Sequence, residues 1–332
     1  MKKFLFLSIL FLSVILSGCF VFRTFTYNFG HSIFSSPQKI TNKIRDPVKP
    51  DVKLSALWIG HSSMLLQIYD KVIITDPLFN TRLGGFFMRK KEPGLDIENV
   101  PKLDMVLVSH SHIDHMSFGS LQMIADRFPG CALVFPMGDE NYLPDFEMRY
   151  FRINNIKSQS DRYIGDPVVI DSIKITPVYA LHTGGRYAID TYIWKTEGAT
   201  GYIIQYKDVC IYFAGDTGFK DEASKKIGNA FKIDLAFIPM GPCRNCDSAG
   251  MRYHASSIEA LKMFVDLKAQ YMMPMHYGAI TYFGDPSRPR YALEDLINDP
   301  ASGYYALRDR VKLPNEGEQI IFGKTDTDKT EK

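Results

Sequence analysis

Net charge is nearly absent from this chain. Lys and Arg exceed Asp and Glu by two, giving +2 over 332 residues. No long basic stripe with interleaved aromatics occurs, and Arg89-Lys90-Lys91 reads as a short solvated cluster. Nucleic acid is therefore not expected as a partner. Cysteine is sparse, at five residues. Cys243-Arg244-Asn245-Cys246 lacks the second pair that a structural zinc site requires. A local disulfide is the expectation for this pair outside the cytoplasm, with zinc or two free thiols as the other readings. Cys131 and Cys210 lie in apolar, strand-like runs and read as buried thiols. No internal repeat is visible. The apolar run Phe4 to Leu16 is too short to span a bilayer comfortably as a mature helix.

What is present begins with a targeting pattern. Lys2 and Lys3 precede that apolar run, which ends in Leu16-Ser17-Gly18-Cys19. The order of positive charge, apolar stretch, small residues and cysteine resembles the bacterial lipobox. The resemblance implies a signal peptide over residues 1–18 and lipidation of Cys19, which would hold the protein at a membrane lipid surface. A plain signal peptide or a short membrane anchor is the other reading. Phe20 rather than Asp follows the cysteine, which favours the outer membrane if the cell has two. Residues 19–53 read as a lipid-anchored linker. It opens with Phe20, Phe22, Phe25, Tyr27, Phe29 and Phe34 and continues through Pro37, Pro47 and Pro50. The aromatics read either as packing on the domain or as contacts with the lipid interface. Residues 54–322 are the expected catalytic domain, and 323–332 a polar tail. With 45% hydrophobic and 23% charged residues, the chain has ample material for a large core.

Histidine is scarce, at eight residues, and three of them fall in one hexapeptide. His110-Ser111-His112-Ile113-Asp114-His115 follows the apolar run Met105 to Val108, so four potential metal ligands stand at the end of a strand-like segment. Imidazole and carboxylate suit zinc and its neighbours. Three further ligands follow strand-like runs in the same way: His182 after Val178 to Leu181, Asp216 after Val209 to Ala214, and His276 after Tyr271 to Met275. Ligands gather where strand ends and their loops converge, so these ends are expected to form one pocket. The structural alternative for each is a buried, hydrogen-bonded His or Asp. For Asp216 it is a simple Gly-Asp-Thr-Gly turn.

His-x-His-x-Asp-His, a lone His, Gly-Asp-Thr-Gly and a late His together resemble the metallo-β-lactamase superfamily. The branch most similar is the one containing N-acyl-phosphatidylethanolamine-hydrolysing phospholipase D. Trp58-Ile59-Gly60-His61-Ser62-Ser63, Ile74-Thr75-Asp76-Pro77, Phe213 to Gly218, Ile238 to Pro242 and Met275 to Gly278 carry that likeness. It covers about residues 54–290 and implies an α/β fold, a four-layer αββα sandwich. It also implies two divalent ions, zinc first, with manganese or iron as alternatives. His110, His112 and His182 would hold the first ion; Asp114, His115 and His276 the second. Asp216 would bridge both, and a bridging hydroxide would be the nucleophile, oriented by Asp114.

Three other residues carry open readings. His61 and Asp76 would support the ligands from behind. The other readings are a core histidine for His61 and turn chemistry for Asp76. His254, before an expected helix, would contact the phosphate or protonate the leaving group, or is a surface histidine at a helix start.

Strands are expected at Ala56 to Trp58, Met64 to Ile68, Val72 to Ile74, Met105 to Val108, Ala132 to Phe135, Val168 to Ile170, Ile173 to Val178, Tyr202 to Gln205, Val209 to Phe213 and Leu235 to Ile238. Helical spacing marks Phe118 to Phe128. It also marks Ser256 to Leu267, with Ile258, Leu261 and Val265 on its apolar face. The expected function is a membrane-tethered two-metal hydrolase of the cell envelope. Its chemistry would be a phosphodiesterase of phospholipase D type, acting on N-acyl phospholipids or related lipids; the expected substrate partner is a lipid or small-molecule phosphodiester. A lactone or amide hydrolase on the same ligands is one alternative, and a non-catalytic binding lipoprotein another. Neither oligomeric state nor physiological substrate is legible.

Overall fold

The computed structural model describes residue 30 and residues 35–84, 87–154, 156, 161–186, 190, 198–243, 245–248, 250–281 and 285–325. Cys19 and the linker aromatics from Phe20 to Phe34 lie outside them, as do residues 1–18 and 326–332. Two sheets face each other. Among the described residues the first has seven strands in the order β15-β1-β2-β3-β6-β7-β8, and the second six, β14-β13-β12-β11-β10-β9. In chain order the first sheet uses β1 (Val52–Gly60), β2 (Ser63–Ile68), β3 (Lys71–Thr75), β6 (Met105–Leu107), β7 (Ala132–Pro136), β8 (Arg149–Ile153) and β15 (Gln319–Lys324). The second uses β9 (Val168–Ile170), β10 (Ile173–Val178), β11 (Gly201–Tyr206), β12 (Val209–Phe213), β13 (Leu235–Pro239) and β14 (Tyr271–Met275). A two-stranded hairpin, β4 (Arg82–Leu83) with β5 (Phe87–Met88), stands apart. β1 and β15 each run two residues past the boundaries expected at 54 and 322.

The period-two alternation of strands explains the layers. In β1, Leu54, Ala56 and Trp58 join the core between the sheets, with Met64, Leu66 and Ile68 of β2. Leu57 and Ile59 point the other way, into a second core with Leu65, Val106 and Leu133. Helix α1 (Phe118–Arg127) closes that second core with Leu121 and Ile124. Burying side chains of this size stabilises by roughly 1.5–3 kcal/mol each. Helix α3 (Ser257–Leu267) packs on the second sheet, flanked by α2 (Asp221–Ala230) and α4 (Arg288–Asn298). The order helix, sheet, sheet, helices is the expected sandwich.

Two expectations need correction. Ser256 is the N-cap of α3, not its first residue, and forms a capping box with Glu259. The helix buries Ala260, Leu261, Phe264 and Leu267, while Val265 is 52% exposed. The stripe carrying Phe264 and Leu267 removes more apolar area than one through Val265, so it takes the core. The described part of the linker packs on the domain, which is one of its two readings. Gln38 bridges to Lys91, and Ile44 and Val48 pack against the outer core. No helix among the described residues is long and apolar enough to cross a membrane.

Strand direction places the chemistry. β3, β6 and β7 run parallel, as do β12, β13 and β14. β1 and β10 share those directions, each through one antiparallel intermediary. The C-terminal ends of β1, β3, β6, β10, β12 and β14 therefore open on one rim, and every expected ligand follows one of them.

Candidate metal centre

The ligand turn leaves β6 and is closed by its own backbone. The His112 carbonyl accepts from the amides of His115 (3.1 Å) and Met116 (2.9 Å). The turn sends His110 and His112 one way and Asp114 and His115 the other. Potential ligand atoms then fall into overlapping groups: His110, His112 and His182; His61, Asp114, His115 and His276; His110, His115 and Asp216; His182, Asp216 and His254. Within each group all such atoms lie within 4.8 Å of one another. Every ligand anticipated from sequence is brought to this centre.

Asp216 joins the groups. Its Oδ2 lies 3.0 Å from His276 Nε2, 3.2 Å from His115 Nε2, 3.7 Å from His254 Nδ1 and 3.9 Å from His182 Nε2. The turn carrying it approaches closely. A side chain at Gly215, whose φ is +59°, would meet Ser109 Cβ at 2.5 Å. Glycine is therefore required there.

The surrounding hydrogen bonds decide which ring nitrogens are bare. Asp76 is fully buried after β3. It accepts from Ser109 N and Ser109 Oγ at 2.7 Å each, and its Oδ2 is 2.7 Å from His115 Nδ1. Because the Ser109 hydroxyl hydrogen goes to Asp76, its oxygen accepts from His110 Nδ1 at 2.9 Å. His182 Nδ1 donates to the Tyr253 carbonyl (3.0 Å), and His276 Nδ1 to the Gly241 carbonyl (2.8 Å). Each arrangement turns Nε2 inward, as a bare lone pair on His110 and His182 and carrying a displaceable proton on His115 and His276. His110 Nε2 lies 2.8 Å from His112 Nδ1, and His182 Nε2 lies 3.2 Å from the same atom. Nitrogen lone pairs this close repel unless a proton or cation sits among them. Asp216 Oδ1 is buried without a hydrogen-bond partner among the described residues. Buried, pre-oriented, electron-rich atoms of this kind fit divalent metal.

Charge is distributed unevenly. Burial, then neighbouring imidazoles, hold His110 well below its usual value. Burial likewise lowers His112 and His182. Burial opposes protonation of His276, but Asp216 and Asp114 raise it to about 9. Against the same burial, Asp216, Asp114 and Asp76 hold His115 well above its usual value. Burial takes His61 to about 3 and His254 to about 4. His61 Nε2 lies 3.0 Å from Asp114 Oδ2, behind the ligand. His61, Asp76 and His276 adopt left-handed backbone, with φ of 57°, 34° and 65°. Such conformations cost of order 1–3 kcal/mol each and cluster at functional sites.

The sequence reading missed several contributors. Ser109 links Asp76 to His110, and its place next to the motif was the available signal. The carbonyls of Tyr253 and Gly241 carry no side-chain signal at all. Cys243 and Cys246 form the expected disulfide, with an S–S distance of 2.10 Å, in the loop that also supplies the Gly241 carbonyl. Cys131 and Cys210 are free and buried.

Facing sheets whose strand ends bring imidazoles and carboxylates to one buried centre define a metal-dependent hydrolase. The chain belongs to the beta-lactamase superfamily, whose domain model matches residues 71–277. It is 25% identical over 260 residues to N-acyl-phosphatidylethanolamine-hydrolyzing phospholipase D 1 of Caenorhabditis elegans, covering 74% of this chain and 70% of that one. A UPF0173 metal-dependent hydrolase of Ligilactobacillus salivarius is 30% identical over 211 residues, covering 63% and 82%. Two other curated relatives are matched over 48% and 59% of their length. In fold the chain is similar to Igni18, a metallo hydrolase of Ignicoccus hospitalis. The TM-score is 0.57 at 21% identity, covering 80% of this chain and 97% of that one.

Proposed function

We propose that this protein is a two-metal phosphodiesterase of phospholipase D type, acting on N-acyl phospholipids or a related lipid at a membrane surface. The observation that carries the reading is the position of the Asp216 carboxylate between the two ligand groups, within 3.9 Å of His182 Nε2 and 3.0 Å of His276 Nε2. Similarity to a phospholipase acting on N-acyl-phosphatidylethanolamine supplies the substrate class. His110, His112 and His182 would hold one divalent ion. Asp114, His115 and His276 would hold the other, with Asp216 shared and zinc as the first expectation. Bound ions of this kind polarise a phosphoryl oxygen and acidify water.

The chain's own groups do the rest. Asp114 orients the attacking water, and His61, 3.0 Å behind it, fixes the carboxylate. Asp76 and Ser109 lock the tautomers of His115 and His110. His254, whose side chain is partly open to solvent and which burial keeps neutral, contacts the phosphoryl group or passes to the leaving oxygen the proton lost by the attacking water. Water attacks phosphorus, the bond to the N-acylethanolamine oxygen breaks, and a phosphatidic acid remains. Lipidation at Cys19 would keep the rim beside its substrate, in the outer membrane if the cell has two.

The test is direct. Bound metal is quantified in the purified chain. An N-acyl phospholipid is then offered beside bis-p-nitrophenyl phosphate, an ester and a lactone. About two ions per chain and release of phosphatidic acid support the proposal. Two ions with only carboxylate products would make it a lactone or amide hydrolase. A folded protein that takes up no metal and turns nothing over would be a binding lipoprotein.

A further inference from the structure

Four residues beyond His182, Arg186 is buried and takes no part in the chemistry above. Its Nη1 donates to two backbone carbonyls, Ser111 at 3.2 Å and Met116 at 2.9 Å. Ser111 lies between His110 and His112, and Met116 follows His115. The two carbonyls therefore bracket the ligand turn. The turn's own amide bonds converge on a different carbonyl, that of His112. The guanidinium lies over the Phe118 ring, 3.6 Å from its centre, at the start of α1.

The other end of the residue is also fastened. The Arg186 amide donates to Asp190 Oδ2 at 2.8 Å, and Tyr142 OH donates to the same oxygen at 2.8 Å. Tyr142 stands just beyond β7, the neighbour of β6 in the first sheet. Buried Asp139, from the same turn, lies close enough to feel the arginine's charge. Arg186 is thus a strut. Its chain follows the second-sheet ligand His182, while its side chain grips the first-sheet ligand turn.

We propose that Arg186 is a positioning residue for the metal centre, setting the spacing between His182 and the His110–His115 turn. The inference rests on the metal-centre reading above but not on a phosphodiester substrate. Arginine suits the task because its planar fork donates in fixed directions while its face stacks on an aromatic ring. A lysine ammonium carries the charge without the plane.

The test uses the full chain and cobalt(II) as the probe, read by its visible ligand-field bands. Affinity and thermal midpoint are measured for wild type, Arg186→Met and Arg186→Lys. Ile173→Ala, at the far end of β10, controls for lost packing. Arg186→Met is expected to weaken cobalt binding about 10–100-fold, the usual cost of losing a group that orients ligands, and to shift the bands. Arg186→Lys should fall between. Ile173→Ala should lower the midpoint while leaving affinity and bands unchanged. A folded Arg186→Met with wild-type affinity and bands would overturn the proposal, whatever its midpoint. Should Arg186→Met not fold, Arg186→Lys decides on the same criteria. If wild type takes up no cobalt, the metal-centre reading falls and the role of Arg186 with it.

Discussion

His110, His112 and His182 meet as three imidazoles, whereas His115 and His276 face Asp114 and Asp216. The same residue type is consequently pushed in opposite directions. Burial lowers the first three, and carboxylates overcome burial to raise the other two. Burial alone therefore does not set the charge of a ligand; the carboxylates its neighbours bring do. The first group offers lone pairs ready for a cation. In the second, a cation must first displace protons, so occupancy there depends more steeply on pH.

Asp216→Ala should produce the largest effect, because it removes a carboxylate that both groups approach. Hydrolysis should fall about a thousandfold or more, in line with the several kcal/mol such centres supply. Metal content should fall with it. Elemental analysis alongside steady-state rates would check this, and a variant with unchanged metal content would break the comparison.

Asp76→Asn should separate the two groups. The carboxylate contacts His115 Nδ1 directly but reaches His110 only through Ser109. Metal affinity should fall about 10–100-fold at the carboxylate-rich group and less at the three-histidine group. Stepwise chelator titration reads the two losses separately, and equal losses would erase the distinction.

Stability of the chelator-stripped protein should sense the same asymmetry. His276 is raised to about 9, above the ordinary histidine value near 6.5. A raised group stabilises fully below the unfolded value and loses that contribution as pH climbs through the folded one. The melting temperature of stripped protein should therefore decline between pH ~6.5 and ~9. Zinc-loaded protein should lack this decline, since metal holds the imidazoles unprotonated. A flat profile for stripped protein would mean the carboxylates do not hold those protons.

The smallest effect is expected from Cys243→Ser with Cys246→Ser. The disulfide closes a loop of sequence separation 3, so its loss should cost about 2 kcal/mol. His276 also holds the Gly241 carbonyl, so metal affinity should change less than in Asp76→Asn. Chemical denaturation and the chelator titration measure the two quantities.

Much of this was legible residue by residue. The candidate metal ligands stood out because rare residue types recurred after apolar runs, and strand ends are where such residues meet. The lone Cys-x-x-C favoured a disulfide but left zinc and free thiols open, and only the structure pairs the two sulfurs. The solvent side of α3 was misjudged because several apolar residues compete for one face, and Phe264 took it from Val265. Helices α2 and α4 went unanticipated. Both are polar over most of their length and bury only a narrow stripe, including Ile227 in one and Leu293 and Ile297 in the other. Arg186 gave no signal, because its partners are backbone carbonyls about 70 positions away.

By itself, the sequence determined the chemistry on offer: which imidazoles and carboxylates exist, that they follow strands, and the superfamily they resemble. Tertiary structure decided how those groups are tuned. Which nitrogen of His110, His115, His182 and His276 faces the centre depends on Asp76, Ser109, Gly241 and Tyr253, brought from distant parts of the chain. Whether an imidazole is raised or lowered depends on carboxylate distances of a few ångströms. Those distances arise only when the two sheets close on each other, because the Coulomb interaction grows as separation and surrounding water are both removed.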